Sequence, residues 1–190
     1  MVDTSTEEIR EGFPFLGGRL WLDFLNSAPA AMGELIATPE DLGRWAAAAG
    51  IARDGRAHFT RGDLATAHAL RSALRGIYHA LSEGTAPPAK AIAEINRHLA
   101  EAPRLRTLES AKGHLRVTET LESDVFGRIA SDLTDFIAGF EPHRLRACNG
   151  PGCSLVFYDT ARNATRRWCS MAACGNRHKV ARHRARSAAN

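Results

Sequence analysis

Residues 148–177 read Cys148-Asn-Gly-Pro-Gly-Cys153-Ser-Leu-Val-Phe-Tyr158-Asp-Thr-Ala-Arg162-Asn-Ala-Thr-Arg166-Arg167-Trp168-Cys169-Ser-Met-Ala-Ala-Cys174-Gly-Asn-Arg177. This stretch holds all four cysteines of a 190-residue chain, spaced C-x4-C-x15-C-x4-C. Two close pairs across a short spacer bring four thiolates to one tetrahedral ion. Gly150 and Gly152 let the first pair fold back as a knuckle. Leu155–Tyr158 reads as a strand, and Thr165–Trp168 as its return. Ser170 reads as the cap of a helix that Cys174 enters in its first turn and that runs to about Arg186. So few apolar residues cannot fold by burial alone, so the metal supplies much of the folding free energy. Zinc is the favoured ion; iron or an iron–sulfur cluster takes the same ligands. With four protein thiolates the site is closed and structural, and the deaminase pattern H-x-E with P-C-x-x-C is absent.

Outward from the cysteines the charge changes sign. Residues 143–190 hold ten Lys/Arg and one acid, Asp159, whereas residues 1–142 hold 15 Lys/Arg and 20 Asp/Glu. A basic block of this density calls for a polyanion or an acidic neighbour. Projected on a helix, Lys179, Arg182 and Arg186 share one side, flanked by His178 and His183, a surface suited to phosphates or a groove. Arg162, Arg166 and Arg167 extend that DNA footprint, while Arg177 reads as a brace for the knuckle.

The remainder reads as a mainly helical domain. Leu20–Asn26 is too apolar for a loop and reads as an early helix or a buried strand. Thr38-Pro39-Glu40-Asp41 is a helix start, with Leu42, Trp45 and Ala49 on one face and Gly50 as the stop. A long helix over 63–82 carries the stripe Leu70, Leu74, Ile77 and Leu81. Residues 89–100 form another, with Ile92, Ile95 and Leu99 inward. Alternation then predicts a β-hairpin turning at Ser110–Gly113. A helix over about 122–139 follows, with Val125, Ile129, Leu133, Phe136 and Ile137 inward. Trp21, Trp45 and Trp168 read as core. Glu141-Pro142-His143 is the boundary between the two domains, 1–142 and 143–190, with separate cores.

Asp23 and Asn26, inside an apolar segment, need hydrogen-bond partners. Arg71, on a stripe with His68, Arg75 and His79, is the nearest cationic candidate. With Arg75, these residues would form either a buried structural bridge or a site for a small anionic ligand.

No apolar run approaches the length of a membrane span. The polar, acidic start MVDTSTEEIREG is not a secretory signal, which places the protein in the cytoplasm, where disulfides are disfavoured. There is no P-loop, G-x-S-x-G, H-E-x-x-H or dinucleotide fingerprint, so the reading is not an enzyme.

Trp168-Cys169-Ser170-Met171 with Cys174-Gly175-Asn176-Arg177 closely resembles the signature of the CGNR zinc-finger family, and the first cysteine pair and the tail Lys179…Arg182-His183-Arg184 fit it. Gly18-Arg-Leu-Trp-Leu-Asp23-Phe-Leu-Asn26-Ser27 resembles the opening motif of the ABATE domain, that family's usual partner, with Ser27 where Thr is commoner. Leu35…Thr38-Pro39…Leu42…Trp45 and Leu70-Arg71 fit its helices. The resemblance implies a bacterial protein, a treble-clef finger and a role in stress-responsive transcription. The expectation is therefore an α+β protein: a mainly helical N-terminal domain with a small β-hairpin, sensing a small ligand or mediating assembly, and a C-terminal treble-clef zinc finger that binds DNA. The alternative is a zinc-dependent module that docks an acidic protein partner.

Overall fold

The structure, a computed structural model, describes residues 8–52, 58–121 and 123–188, and only the backbone at positions 182, 183, 185, 186 and 188. Two short strands, β1 (Ile9–Arg10) and β2 (Phe13–Pro14), pair antiparallel and lead into α1 (Leu20–Leu25). Helices α2 (Pro39–Ala48), α3 (Arg61–Glu83) and α4 (Ala89–Ala100) follow. Then come the hairpin β3 (Arg104–Ala111) and β4 (His114–Leu121), helix α5 (Val125–Ile137), strands β5 (Leu145–Ala147) and β6 (Val156–Tyr158), and α6 (Asn176–Ala188). Among the described residues no helix is long and apolar enough to cross a membrane.

Local chemistry explains the helix ends. Thr38 and Asp41 close a capping box at α2, with Pro39 at its first position, and Thr60 and Asp63 close another at α3. Each satisfies backbone N–H groups that a helix start leaves unpaired.

The apolar run Leu20–Leu25 is a helix because it is the hub. Residues 21–25 are all buried, packed by α3 and α5 and reached by β6. Phe24 meets Trp45 edge-on at 4.9 Å between centroids, and Trp21 meets Phe136 at 5.2 Å. Leu70, Leu74 and Ile77 of α3 and Ile129 and Leu133 of α5 close this core. Ile92 and Ile137, expected inward, are 42% and 44% exposed, because each lies at the margin of its helix's apolar stripe.

Two corrections concern the C-terminal region. Strand β6 does not pair with residues 165–168; it pairs back with β5 in the register Leu145↔Tyr158, Arg146↔Phe157, Ala147↔Val156. The expected knuckle is thus the turn of a hairpin, and the chain reaches Cys169 through a loop whose Arg167 carbonyl accepts from Asn149 N–H. Nor are the cores separate. Leu145 and Val156 belong to the main core, and Leu16 belongs to the smaller cluster around the cysteines.

Candidate metal centre and its junction with the body

The four sulfurs lie within 4.8 Å of one another, with Cys148, Cys169 and Cys174 buried and Cys153 half-buried. Cys153 and Cys169 Sγ stand 3.8 Å apart, and Cys169 and Cys174 Sγ 3.6 Å. A tetrahedral ion with Zn–S bonds of about 2.3 Å sets its sulfurs about 3.8 Å apart, so the donors present fit zinc. Backbone N–H groups of Gly150 and Cys169 donate to Cys148 Sγ at 3.4 and 3.3 Å, and Arg177 donates to Cys174 Sγ at 3.0 Å. Such donors offset the negative charge that four thiolates bring to a dication. Gly150 is required by close approach: a Cβ there would stand 2.9 Å from Cys174 Sγ.

The thiols respond to this cage differently. Burial raises Cys148, but N–H donation from Cys169 and Gly150 outweighs it and leaves that thiol below its ordinary value. Burial pushes Cys153 up to about 11 and also raises Cys169, with the neighbouring cysteines adding to the rise. A bound cation reverses that effect by stabilising every thiolate at once. Leu16, Leu155, Phe157 and Trp168 pack around the cluster. Ser170 caps the ligand-bearing turn Met171–Gly175, its hydroxyl accepting from Ala173 N–H at 3.2 Å and donating to the Glu8 carboxylate.

The arginines of this region divide into two sets. Arg144 donates to the carbonyls of Asp159 and Ala161, Arg146 to those of His143 and Ala164, and Arg166 to those of Trp168 and Cys169. Arg166 also lies over the Phe157 ring at 4.5 Å. Read from the sequence as a DNA contact, it is instead spent on holding the loop before Cys169. His178 is likewise half-buried, its ring 4.7 Å from that of Trp168, whose indole is itself only partly covered. Arg162, Arg167, Lys179 and Arg184 are exposed. Among the described residues none of these four has an acidic partner. The side chains of Arg182, His183 and Arg186, expected on the same DNA face, lie outside the described residues.

The acid in the basic block, Asp159, is fully buried and accepts the backbone N–H groups of Ala161 and Arg166 at 2.9 and 2.7 Å. Among the described residues it makes no ion pair with the surface arginines.

The polar residues of the hub form a junction, not the cluster expected. Asn26 is 3% exposed; its Nδ2 donates to the Val156 carbonyl at 2.8 Å and its Oδ1 accepts from Val156 N–H at 2.9 Å. The amide thus stands where another strand would, on the backbone of β6. Asp23 accepts from Gly17 N–H at 2.7 Å, and Gly17 passes the connection on, its carbonyl accepting from Tyr158 N–H at 2.9 Å. A Cβ at Gly17 would stand 2.6 Å from that of Leu22, so only glycine permits this approach. Burial pushes Asp23 up to about 7; Asp132 adds to the rise, and Gly17 N–H and Arg10 oppose it.

Arg71 does not pair with Asp23. It donates to Ser27 Oγ at 2.7 Å and to the Glu34 carboxylate, which also lies 3.8 Å from His68. Arg75 is exposed on α3. The sequence supplied the polar residues but not Glu34, because the loop that carries it has no periodicity to place it.

The sequence model of the ABATE family, described as "Putative stress-induced transcription regulator", matches residues 18–139, and that of the CGNR zinc finger matches residues 144–187. Neither description is that of an enzyme. No curated protein matches the chain.

Proposed function

The chain belongs to the ABATE family and ends in a CGNR zinc finger, its four cysteines forming the zinc site, and from that premise we infer that it is a transcription regulator that binds DNA through the finger. The division of labour runs near the proposed boundary: residues 1–142 sense a small ligand, and residues 143–190 contact the duplex.

One observation carries this reading. The acid of the basic block is inside, so the described surface of the finger offers Arg162, Arg167, Lys179 and Arg184 with no acid among them. Arginines spent on carbonyls and on Cys174 brace the fold, whereas Arg162, Arg167 and Arg184 are exposed. An unbalanced cationic surface on a metal-rigidified scaffold suits a phosphate backbone, because each contact releases a condensed counterion. The hub supports a regulatory link as well, since Asn26 and Gly17 hold β6 directly and a change in the body can alter the finger's pose.

The test is duplex binding by the zinc-loaded chain across salt concentrations. Lys179→Ala, Arg162→Ala and Arg167→Ala are each expected to weaken binding across sequences and to shallow the salt slope by about one. Arg177→Ala is expected to loosen zinc instead. A triple mutant that binds as tightly as the parent sinks the assignment of this face. Polyglutamate competing as well as DNA would favour an acidic protein partner. Selection from a random duplex pool then identifies the sequence bound.

A further inference from the structure

A cleft of about 320 Å³ opens beside the hub, lined by Arg10, Phe15, Arg19, Leu20, Asp23 and Ala49. Its volume lies at the small end of the range for ligand sites. Two arginines line it from separate segments. Arg10 of β1 donates to the Ala48 carbonyl at 3.3 Å and lies 4.6 Å from the Phe15 ring centroid. Arg19 precedes α1 and is exposed, its guanidinium 5.8 Å from the Phe136 ring centroid and attracted by the Asp132 carboxylate. Phe15, Leu20 and Ala49 supply an apolar wall.

The geometry points to this cleft as the site of a small organic carboxylate, its head between Arg10 and Arg19 and its apolar body against Phe15 and Leu20. The proposal deepens the reading of the N-terminal domain as ligand-sensing and does not depend on DNA binding. Guanidinium groups pair with carboxylates through planar, charge-assisted hydrogen bonds. The apolar wall favours an organic acid over inorganic phosphate, and the concave shape favours a free molecule over a duplex backbone. Asp23, nine-tenths buried, is faced by Arg10 from β1 and by Asp132 from α5. Burial keeps much of it protonated near neutral pH, so its O–H is available to donate to a bound carboxylate.

The position matters for regulation. Gly18 also lines the cleft, and a Cβ on it would lie 3.5 Å from the Tyr158 carbonyl of β6. A ligand here would sit beside the Gly17–Tyr158 connection to the finger.

The experiment is calorimetric titration of the zinc-loaded full chain, without DNA, using benzoate, phenylacetate and hexanoate. Benzyl alcohol and inorganic phosphate are the comparison arms. At least one carboxylate is expected to bind while benzyl alcohol does not. Arg19→Ala, checked for folding by circular dichroism, is expected to weaken that binding about tenfold, the worth of one charge-assisted hydrogen bond. Arg10→Ala, checked for folding by circular dichroism, should do the same. Three outcomes overturn the proposal: no carboxylate binds, Arg19→Ala binds as tightly as the parent, or phosphate binds more tightly than any carboxylate. A chain that binds carboxylate but no DNA would leave this site standing and remove the DNA reading; the converse would do the opposite.

Discussion

Two of the molecule's β-hairpins are of opposite character. The β3–β4 hairpin has eight residue pairs, and nearly all its side chains are exposed, with Leu108, Leu115 and Val117 between 64% and 75% open to solvent. The β5–β6 hairpin has three pairs. It sends Leu145 and Val156 into the main core and Phe157 into the cysteine cluster, and it presents Cys148 and Cys153 at its turn. A two-stranded ladder in water is marginal at any length. Its hold on the fold depends on what its faces and turn touch. The shorter hairpin is therefore the more consequential, since it joins the metal centre to the helical hub.

The strongest challenge to this contrast is removal of the metal. A chelator, or Cys169→Ser, is expected to unfold residues 143–188, because structural zinc contributes on the order of 10 kcal/mol to folding of small fingers. Unlike a module with its own core, this one should weaken the body too, since Leu145 and Val156 leave the main core with it. Hydrogen exchange would report this as faster exchange in α1 and α5. Unchanged protection there would refute the shared core.

Next in size is Asn26→Leu. It leaves the N–H and C=O of Val156 buried and unpaired, at about 1–3 kcal/mol each. Urea unfolding of the zinc-loaded protein should show a loss of about 2–6 kcal/mol, summed over the two groups. A loss below that would mean that β6 is held by the metal and its apolar contacts alone.

Asp23 sharpens the same contrast through pH. Its folded-state value, about 7, lies above the usual carboxylate value of about 3.9, so the folded state binds the extra proton. The stabilisation is full below about pH 4 and is lost as pH rises through about 7. Near neutrality the parent should lose about 1 kcal/mol over the two pH units centred on that value. Asp23→Asn, which keeps an acceptor for Gly17 N–H, should flatten the dependence, as read from urea midpoints on either side of neutral pH. An unchanged slope would assign the pH dependence to another group.

The smallest effect is expected on the long hairpin. Leu115→Thr, at its exposed end, should change stability by less than about 0.5 kcal/mol. A larger loss in thermal unfolding would show that this arm is covered in solution.

Much of this organisation is legible along the chain. The cysteine spacing defines the zinc site because its ligands come as two local pairs. The capping boxes at Thr38 and Thr60 are complete within four residues, and α4 occupies the residues its apolar spacing predicts. Alternation predicts the β3–β4 hairpin because its strands are adjacent and their pairing is local.

What only the tertiary structure decided is where the isolated polar groups go. Asp23 meets the Gly17 backbone, Asn26 meets β6 from 130 residues away, and Arg71 meets Ser27 and Glu34. The same holds for the partner of β6, for the arginines consumed as braces, and for Asp159, buried on the backbone N–H groups of Ala161 and Arg166. The physical reason is one of range. Periodicity, caps and ligand pairs are satisfied by neighbours a few residues apart, so composition and spacing reveal them. A buried hydrogen bond between distant segments is selected by how the packed core brings backbone and side chain together, and no local pattern records that choice.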